Sequence, residues 1–392
     1  MEQRMKRDLC VIGLGYIGLP SAVLFAQAGL SVLGVDVDRR KLDALQRREC
    51  PIHEHELPER LAQAFESGNL EISDQPTEAN AFLLCLPTPV TEDRKADLTF
   101  VEAAARSIAP VLKRGDLVIL ESTVPPNTCR DVVAPILLRE TGLDPIHDYL
   151  LAHAPERVIP GAIFHELIHN VRIVGGMTVE ATEAAAQLFL RAGVMDVRRT
   201  TAEVAELSKV VENTFRDVNI ALANELSAIC ERLGVDVFQV IQLANLHPRV
   251  NVHSPGIGVG GHCIPVDPWF LIHLCPDEAQ LIRTARQIND AKPHAVVQKI
   301  LATHGPGNIS PIGILGVTYK ANVEDTRESP ALEVIRLLQR SHRDLRIFDP
   351  FAPSHSTATL DEIKGLATIA ILTDHTEFLA ISGPHVLRWN GN

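Results

Sequence analysis

Aromatic side chains are scarce, at 4% of the 392 residues. That scarcity argues against a surface that reads single-stranded nucleic acid by stacking bases. An excess of positive charge is also lacking: 37 Lys and Arg face 49 Asp and Glu, a formal net charge of −12. No nucleic-acid partner is therefore expected, although a local basic pocket for a small phosphorylated ligand stays open. The seven cysteines are odd in number and contain no CxxC pair, which disfavours a zinc knuckle and a disulfide framework. A reducing cytoplasm is the expected compartment, with no metal site. Repeats and low-complexity tracts are missing too. What is present is globular in character, since 46% hydrophobic and 22% charged residues argue against disorder. At roughly 150 residues per domain the length suggests two or three domains.

Between Leu9 and Val35 there is no charged residue. By hydropathy alone that run resembles a signal peptide or a membrane span. Five glycines and Pro20 interrupt it, however, and it ends in Asp36. A short apolar block at 9–12, a helix-length stretch at 18–28 and a second block at 31–35 read instead as strand, helix and strand, with no membrane span. Gly13, Gly15 and Gly18, with Tyr16 and Ile17 between them, form GxGxxG. The first glycine permits the turn, the second lets backbone approach a pyrophosphate, and the third allows close helix packing. Asp36 stands where a carboxylate binds ribose hydroxyls and repels a 2′-phosphate, so the expected cofactor is NAD.

Further strand-like blocks at 81–86, 117–120 and 149–152 alternate with helix-like stretches at 100–112 and 128–138, continuing a doubly wound sheet. Blocks at 171–174 and 195–197 around a helix at 179–192 extend this Rossmann-type domain to residue 200. From Ala202 to Leu233 there is no Gly or Pro. Leu207, Val210, Val211, Val218, Leu222, Leu226 and Ile229 recur there at helical spacing and predict a long buried spine. A second long helix is expected over 277–303, kinked at Pro293, followed by a linker at 303–311. Strands at 312–315, 345–348 and 368–372 with a helix at 331–340 complete the pattern. The expected fold is α/β: a Rossmann-type doubly wound sheet (1–200), a central long-helix domain (201–303) and a smaller C-terminal Rossmann-like α/β domain (304–392).

Residues 256–268, GIGVGGHCIPVDP, present Cys263 on a glycine-rich turn. Asp267 and Pro268 read as N-cap and first helical residue. A thiol just before a helix N-terminus has a lowered pKa and is nucleophilic, whereas a buried inert thiol is the ordinary alternative. Lys209 and Asn213, four apart, share one helix face and suit oxyanion stabilisation; a solvated face is the plain alternative. The His53-Glu54-His55-Glu56 cluster lacks the spacing of a helical metal site and reads as a solvated loop.

These residues resemble the UDP-glucose/GDP-mannose dehydrogenase family, which oxidises a sugar-nucleotide alcohol to a carboxylate with two NAD. The resemblance runs through GLGYIGLP (13–20), LPTP (86–89), ESTVPP (121–126), APER (154–157), SKVVEN (208–213), GGHCIPVDP (260–268) and GVTYKANVEDTRESPA (316–331). FRDVNIALANEL (215–226), NLHPRVN (245–251) and LIRTAR (281–286) most resemble the UDP-N-acetyl-D-mannosamine 6-dehydrogenase branch.

The resemblance implies Cys263 as the nucleophile that captures the C6 aldehyde. It implies Lys209 and Asn213 as the oxyanion pair, Asp267 and Glu156 as groups assisting hydrolysis, and Thr123 beside the nicotinamide. Thr88 joins the cofactor site. Arg157, Asn251 and Gly260 would contact a UDP-N-acetylhexosamine, Arg249 would reach it across the interface of a homodimer or higher oligomer, and Lys320 and Arg327 would hold its UDP end. Such enzymes serve cytoplasmic synthesis of surface polysaccharide. Pro160 replaces a carboxylate of the UDP-glucose branch, and the ending at 385–392 predicts a shortened C-terminal domain with an incomplete sheet. Oxidation of UDP-N-acetylglucosamine or UDP-glucose, or NAD binding without turnover, stays open.

Overall fold

Alternate residues of the first strand, β1 (Arg7–Ile12), feed two separate cores. Leu9 and Val11 join one, while Cys10 and Ile12 join the other. This period of two on an apolar run is what a parallel strand covered on both faces requires. In the computed structural model, which describes residues 6–52, 54–159, 161–341 and 344–389, the chain divides into two units, Met1–Val210 and Val211–Asn392.

The first unit is built on one sheet of eight strands: β1, β2 (Val32–Val35), β3 (Leu70–Ser73), β4 (Ala79–Leu84), β5 (Leu117–Leu120), β6 (Leu150–His153), β7 (Arg172–Gly176) and β8 (Val197–Thr201). Their order is β3-β2-β1-β4-β5-β6-β7-β8, parallel throughout except between β6 and β7. Strand order reverses between β1 and β4, the switch point where such sheets bind ligands. The expected helix at 128–138 begins as a π-helical turn, Cys129–Val133, before Ala134–Thr141 turns α-helical.

The second unit carries β9 (Ile312–Leu315), β10 (Leu345–Phe348), β11 (Ile369–Ile371) and β12 (Val386–Arg388) in the parallel order β10-β9-β11-β12. The sheet therefore closes on a short final strand, Ile369–Ile371 pairing with Val386–Arg388, where an incomplete edge was expected. Helices Gln280–His304, with Pro293 inside it, and Pro330–Leu338 cover one face through Val296, Ile300, Val334 and Leu338.

The long helix Ala202–Leu233 has the predicted bounds but the opposite orientation. Of the expected spine only Val210 is fully buried, while Leu207, Val211, Leu222 and Ile229 are exposed. The buried side is Ala202, Ala205, Glu206, Lys209, Val210, Asn213, Thr214, Asp217, Ala221, Ala223, Asn224 and Cys230. Helical spacing identifies a stripe without saying which one turns inward. Here the inward polar groups find partners, which offsets their desolvation.

Candidate functional site

In the first unit, the turn after β1 is closed by glycines that no other residue replaces. Gly13 has φ of +93°, and a Cβ there would collide with the Cys85 carbonyl oxygen. A Cβ at Gly18 would strike the Gly13 carbonyl oxygen. At Gly15 a Cβ would meet no protein atom within 4 Å, so the open side of that glycine faces the space into which a ligand can come. Helix Gly18–Gln27 then begins with no side-chain cap and no acidic residue in its first turn, so the positive end of its dipole at the glycine turn suits an anion. Tyr16 is exposed at the mouth of the turn.

Asp36, at the end of β2, is buried and accepts from the Leu14 N–H at 2.8 Å and the Asp38 N–H at 2.8 Å. Lys41 Nζ lies 2.9 Å from its Oδ2. Burial works to raise this carboxyl's pKa, but the Asp38 N–H, Lys41 and the Leu14 N–H hold it below the ordinary value. The basic residues that follow are engaged elsewhere, Arg39 with Asp74 and Arg40 with Asp38. The glycines and this ionised carboxylate fit an adenosine diphosphate with unmodified ribose hydroxyls.

Three loops, after β4, β5 and β6, carry the other loop candidates of this unit. Thr88 donates its hydroxyl to the Thr123 carbonyl at 2.6 Å, joining the LPTP and ESTVPP segments. Glu121 ion-pairs with buried Arg172, whose guanidinium lies over the Phe189 ring, and it accepts from Cys85 Sγ at 3.0 Å. Glu156 Oε1 lies 3.5 Å from Lys209 Nζ, and its Oε2 accepts from the Val158 N–H at 2.8 Å. Arg157 donates to the Val171 carbonyl. Buried Glu54 receives the Gly161 and Ile163 N–H groups, so it anchors the loop after Glu156 and is not the solvated residue expected. His53 and Pro160 lie outside the described residues.

In the second unit Asn213 Nδ2 donates to Asp267 Oδ2 at 2.6 Å, and both residues are buried. Asp267 is the first residue of helix Asp267–Leu274, and Val266 is the N-cap. Its backbone N–H and that of Val266 both donate to the Cys263 carbonyl, so the thiol-bearing residue closes the turn into this helix. Cys263 is partly exposed.

The glycine loop is packed against segment 316–331. A Cβ on Gly260 would lie 2.6 Å from Tyr319 Cβ, 2.8 Å from Pro330 Cδ and 2.9 Å from the Glu328 carbonyl oxygen. Gly261 donates its N–H to the Arg327 carbonyl. A cavity of about 230 Å³ opens beside it, lined among others by Gly256, Gly258, Thr318, Lys320 and Thr373. The Arg327 guanidinium pairs with Asp325. Arg249 and Asn251 sit on an exposed loop that Asn219 clamps, donating to the Asn251 carbonyl and accepting from the His253 N–H.

Three segments of the chain match the family's domains in order: NAD binding at 7–192, central at 203–291 and UDP binding at 313–389. It belongs to the UDP-glucose/GDP-mannose dehydrogenase family. As a family member it is an NAD-dependent nucleotide-sugar dehydrogenase. It is 42% identical to the UDP-N-acetyl-D-mannosamine dehydrogenase of Escherichia coli K12, covering 96% of each chain. It is also 42% identical to an NDP-N-acetyl-D-galactosaminuronic acid dehydrogenase of Ralstonia solanacearum, covering 95% of this chain and 92% of that one. The solved UDP-D-ManNAc dehydrogenase of Pyrococcus horikoshii superposes with a TM-score of 0.90 at 40% identity, covering 97% and 93% of the two chains.

Sequence reasoning missed several residues that brace this dehydrogenase's site. Asp217 Oδ1 accepts from Arg286 at 2.6 Å and from Asn289 at 2.9 Å. Asn224 donates to Asn289 and accepts from the Gly256 N–H, so the buried network reaches the glycine loop. In the C-terminal sheet, Asp349 receives the Val317 and Thr318 N–H groups and His375 Nε2, while His375 Nδ1 accepts from the Asn322 N–H. That pattern fixes the proton on Nε2 and ties down the segment carrying Lys320. The polarity of Asp217, Asn219 and Asn224 was the available signal; His375 had none. Among the described residues, no helix is long and apolar enough to cross a membrane.

Proposed function

We propose that this dehydrogenase oxidises C6 of UDP-N-acetyl-D-mannosamine to the carboxylate through a thiohemiacetal and a thioester on Cys263. The observation that carries the substrate reading is the 42% identity, over 96% of both chains, to the Escherichia coli enzyme of that name. NAD, when bound, supplies the hydride acceptor for both oxidations.

The side chains divide the remaining work. The Cys263 sulfur adds to the aldehyde carbon, so the sugar is not lost between oxidations. The second oxidation leaves a thioester, and attack by water breaks the C–S bond and restores the thiol. Each turnover consumes one alcohol, one water and two NAD, and yields one carboxylate, two NADH and three protons. Lys209 and the Asn213 amide stabilise the oxyanion, and Asp267 and Glu156 take protons from the attacking water. Thr123 borders the reacting carbon. Arg157, Asn251 and Gly260 contact the sugar nucleotide, and Lys320, which lines the 230 Å³ cavity, holds its uridine diphosphate together with Arg327. Arg249 comes from a second copy in a homodimer, docked through the outward face of helix Ala202–Leu233, where Val211, Phe215, Leu222 and Ile229 are exposed.

Oxidation of an N-acetylgalactosamine nucleotide is the second reading, favoured by the equal identity to the Ralstonia solanacearum relative. Values of kcat/KM for UDP-N-acetylmannosamine, UDP-N-acetylgalactosamine, UDP-N-acetylglucosamine and UDP-glucose separate the readings. A preference of at least about tenfold for the first is expected. A higher value for any other sugar overturns the substrate assignment, and NAD binding without turnover on all four overturns the reaction.

A further inference from the structure

We propose that Cys129, His153 and Glu206 form a binding site for a thiophilic divalent cation of the zinc class. One ligand atom of each (Sγ, a ring nitrogen and a carboxylate oxygen) lies within 4.8 Å of the other two, and all three residues are buried. The three come from different elements of the first unit: the π-helical turn Cys129–Val133, the last residue of β6, and the first turns of helix Ala202–Leu233.

The independent observation is His153. It is wholly buried, and neither of its ring nitrogens has a hydrogen-bond partner. A buried polar atom left unmatched loses its hydration without compensation, so such a group calls for a ligand. Glu206 accepts the Asn127 N–H at 2.6 Å on one oxygen and the Cys129 N–H at 2.8 Å on the other. Each carboxylate oxygen has two acceptor positions, so one on each remains for a cation.

Charge and softness narrow the cation. A thiolate and a carboxylate together neutralise a divalent ion, which a site this deeply buried demands. The nearby cations are already matched, Arg172 by Glu121 and Lys209 by Glu156. Sulfur and imidazole donors suit zinc-class ions and disfavour magnesium and calcium. Binding expels the Cys129 proton to solvent, so uptake releases acid. His153 lies three residues before Glu156 and Glu206 three before Lys209. A bound ion would therefore stiffen the segments that carry two of the proposed catalytic groups.

The full-length protein is titrated with Co2+ as a spectroscopic stand-in and then with Zn2+. The site predicts one Co2+ per chain with a thiolate charge-transfer band that Zn2+ displaces. The band should vanish in Cys129→Ser and in His153→Asn and persist in Cys263→Ser, and Zn2+ should raise the Tm of the wild type but not of His153→Asn. His153→Asn removes no hydrogen bond of the ring, so it decides the matter should Cys129→Ser fail to fold. No band in the wild type, or a band that survives Cys129→Ser or His153→Asn in folded protein, overturns the proposal.

Discussion

Asn213 donates its side-chain N–H to Asp267 at 2.6 Å, and both residues are buried. The bond orients the amide and fixes Asp267 beside it. Asp267→Asn removes the charge while keeping the size. A fall in kcat of about 10²–10³-fold is expected, with little change in KM for the sugar nucleotide. Steady-state kinetics with purified variant check this, and an unchanged kcat would remove Asp267 from the reaction.

Glu156 and Lys209 are the corresponding pair of the first unit. Glu156→Gln should spare the oxidations and slow release of the acid, so a burst of NADH precedes a steady rate lowered by about 10²-fold or more. Stopped-flow absorbance gives the readout. A uniformly slowed first turnover would place Glu156 elsewhere in the cycle.

Asp36 stays ionised well into acid because its folded-state pKa is depressed. A depressed carboxyl adds stability above its unfolded value and loses it only as pH falls through the folded value. Affinity for NAD is therefore expected to be flat from neutrality to about pH 5 as far as Asp36 is concerned. Asp36→Ala should raise the KM for NAD and narrow the preference over NADP. Equal use of both cofactors by the wild type would contradict the assigned role.

Asp217 and Arg286 form a buried pair whose members are almost wholly inaccessible to solvent. Burial raises the Asp217 pKa, and Arg286 and Asn289 oppose that shift. Asp217→Ala takes one of the two carboxylates from the buried Arg286 guanidinium, leaving Asp290, and should cost about 3 kcal/mol. Replacing both residues by Leu should recover most of the denaturation midpoint while disturbing the loop that the network ties to Asn224. A double variant no more stable than the single would deny the pair its role.

Gly260→Ala introduces a Cβ 2.6 Å from Tyr319 Cβ. The neighbours are backbone and ring-proximal atoms that cannot swing aside, so the Cys263 loop must shift. Activity should drop by at least about tenfold, with far-ultraviolet dichroism unchanged. Full activity would mean that the loop tolerates displacement.

The cofactor turn was legible because its chemistry is local. Gly13, Gly18 and Asp36 are required by backbone sterics and by one carboxylate on the next strand, and both needs leave a spacing in the chain. The long helix was legible in extent and illegible in orientation. Val211 and Leu222 share the spacing of a core stripe, yet Asp217 and Asn224 occupy the buried face because Arg286 and Asn289 meet them there. Asp267 stands one position from the expected place, as first helical residue behind the N-cap Val266, and its carboxylate accepts from Asn213. The meeting of residues 129, 153 and 206 has no sequence signature, because three separate elements create it. The final strand Val386–Arg388 was missed as its three residues carry no strong apolar pattern.

The account rests on oxidation by four electrons with capture on Cys263. The direct measurement is NADH formed per mole of limiting UDP-N-acetylmannosamine, in wild type and in Cys263→Ser. Two NADH per sugar in the wild type, with no carboxylate formed by the variant, is the predicted result. One NADH per sugar in the wild type, or carboxylate still produced at full yield by Cys263→Ser, would contradict it.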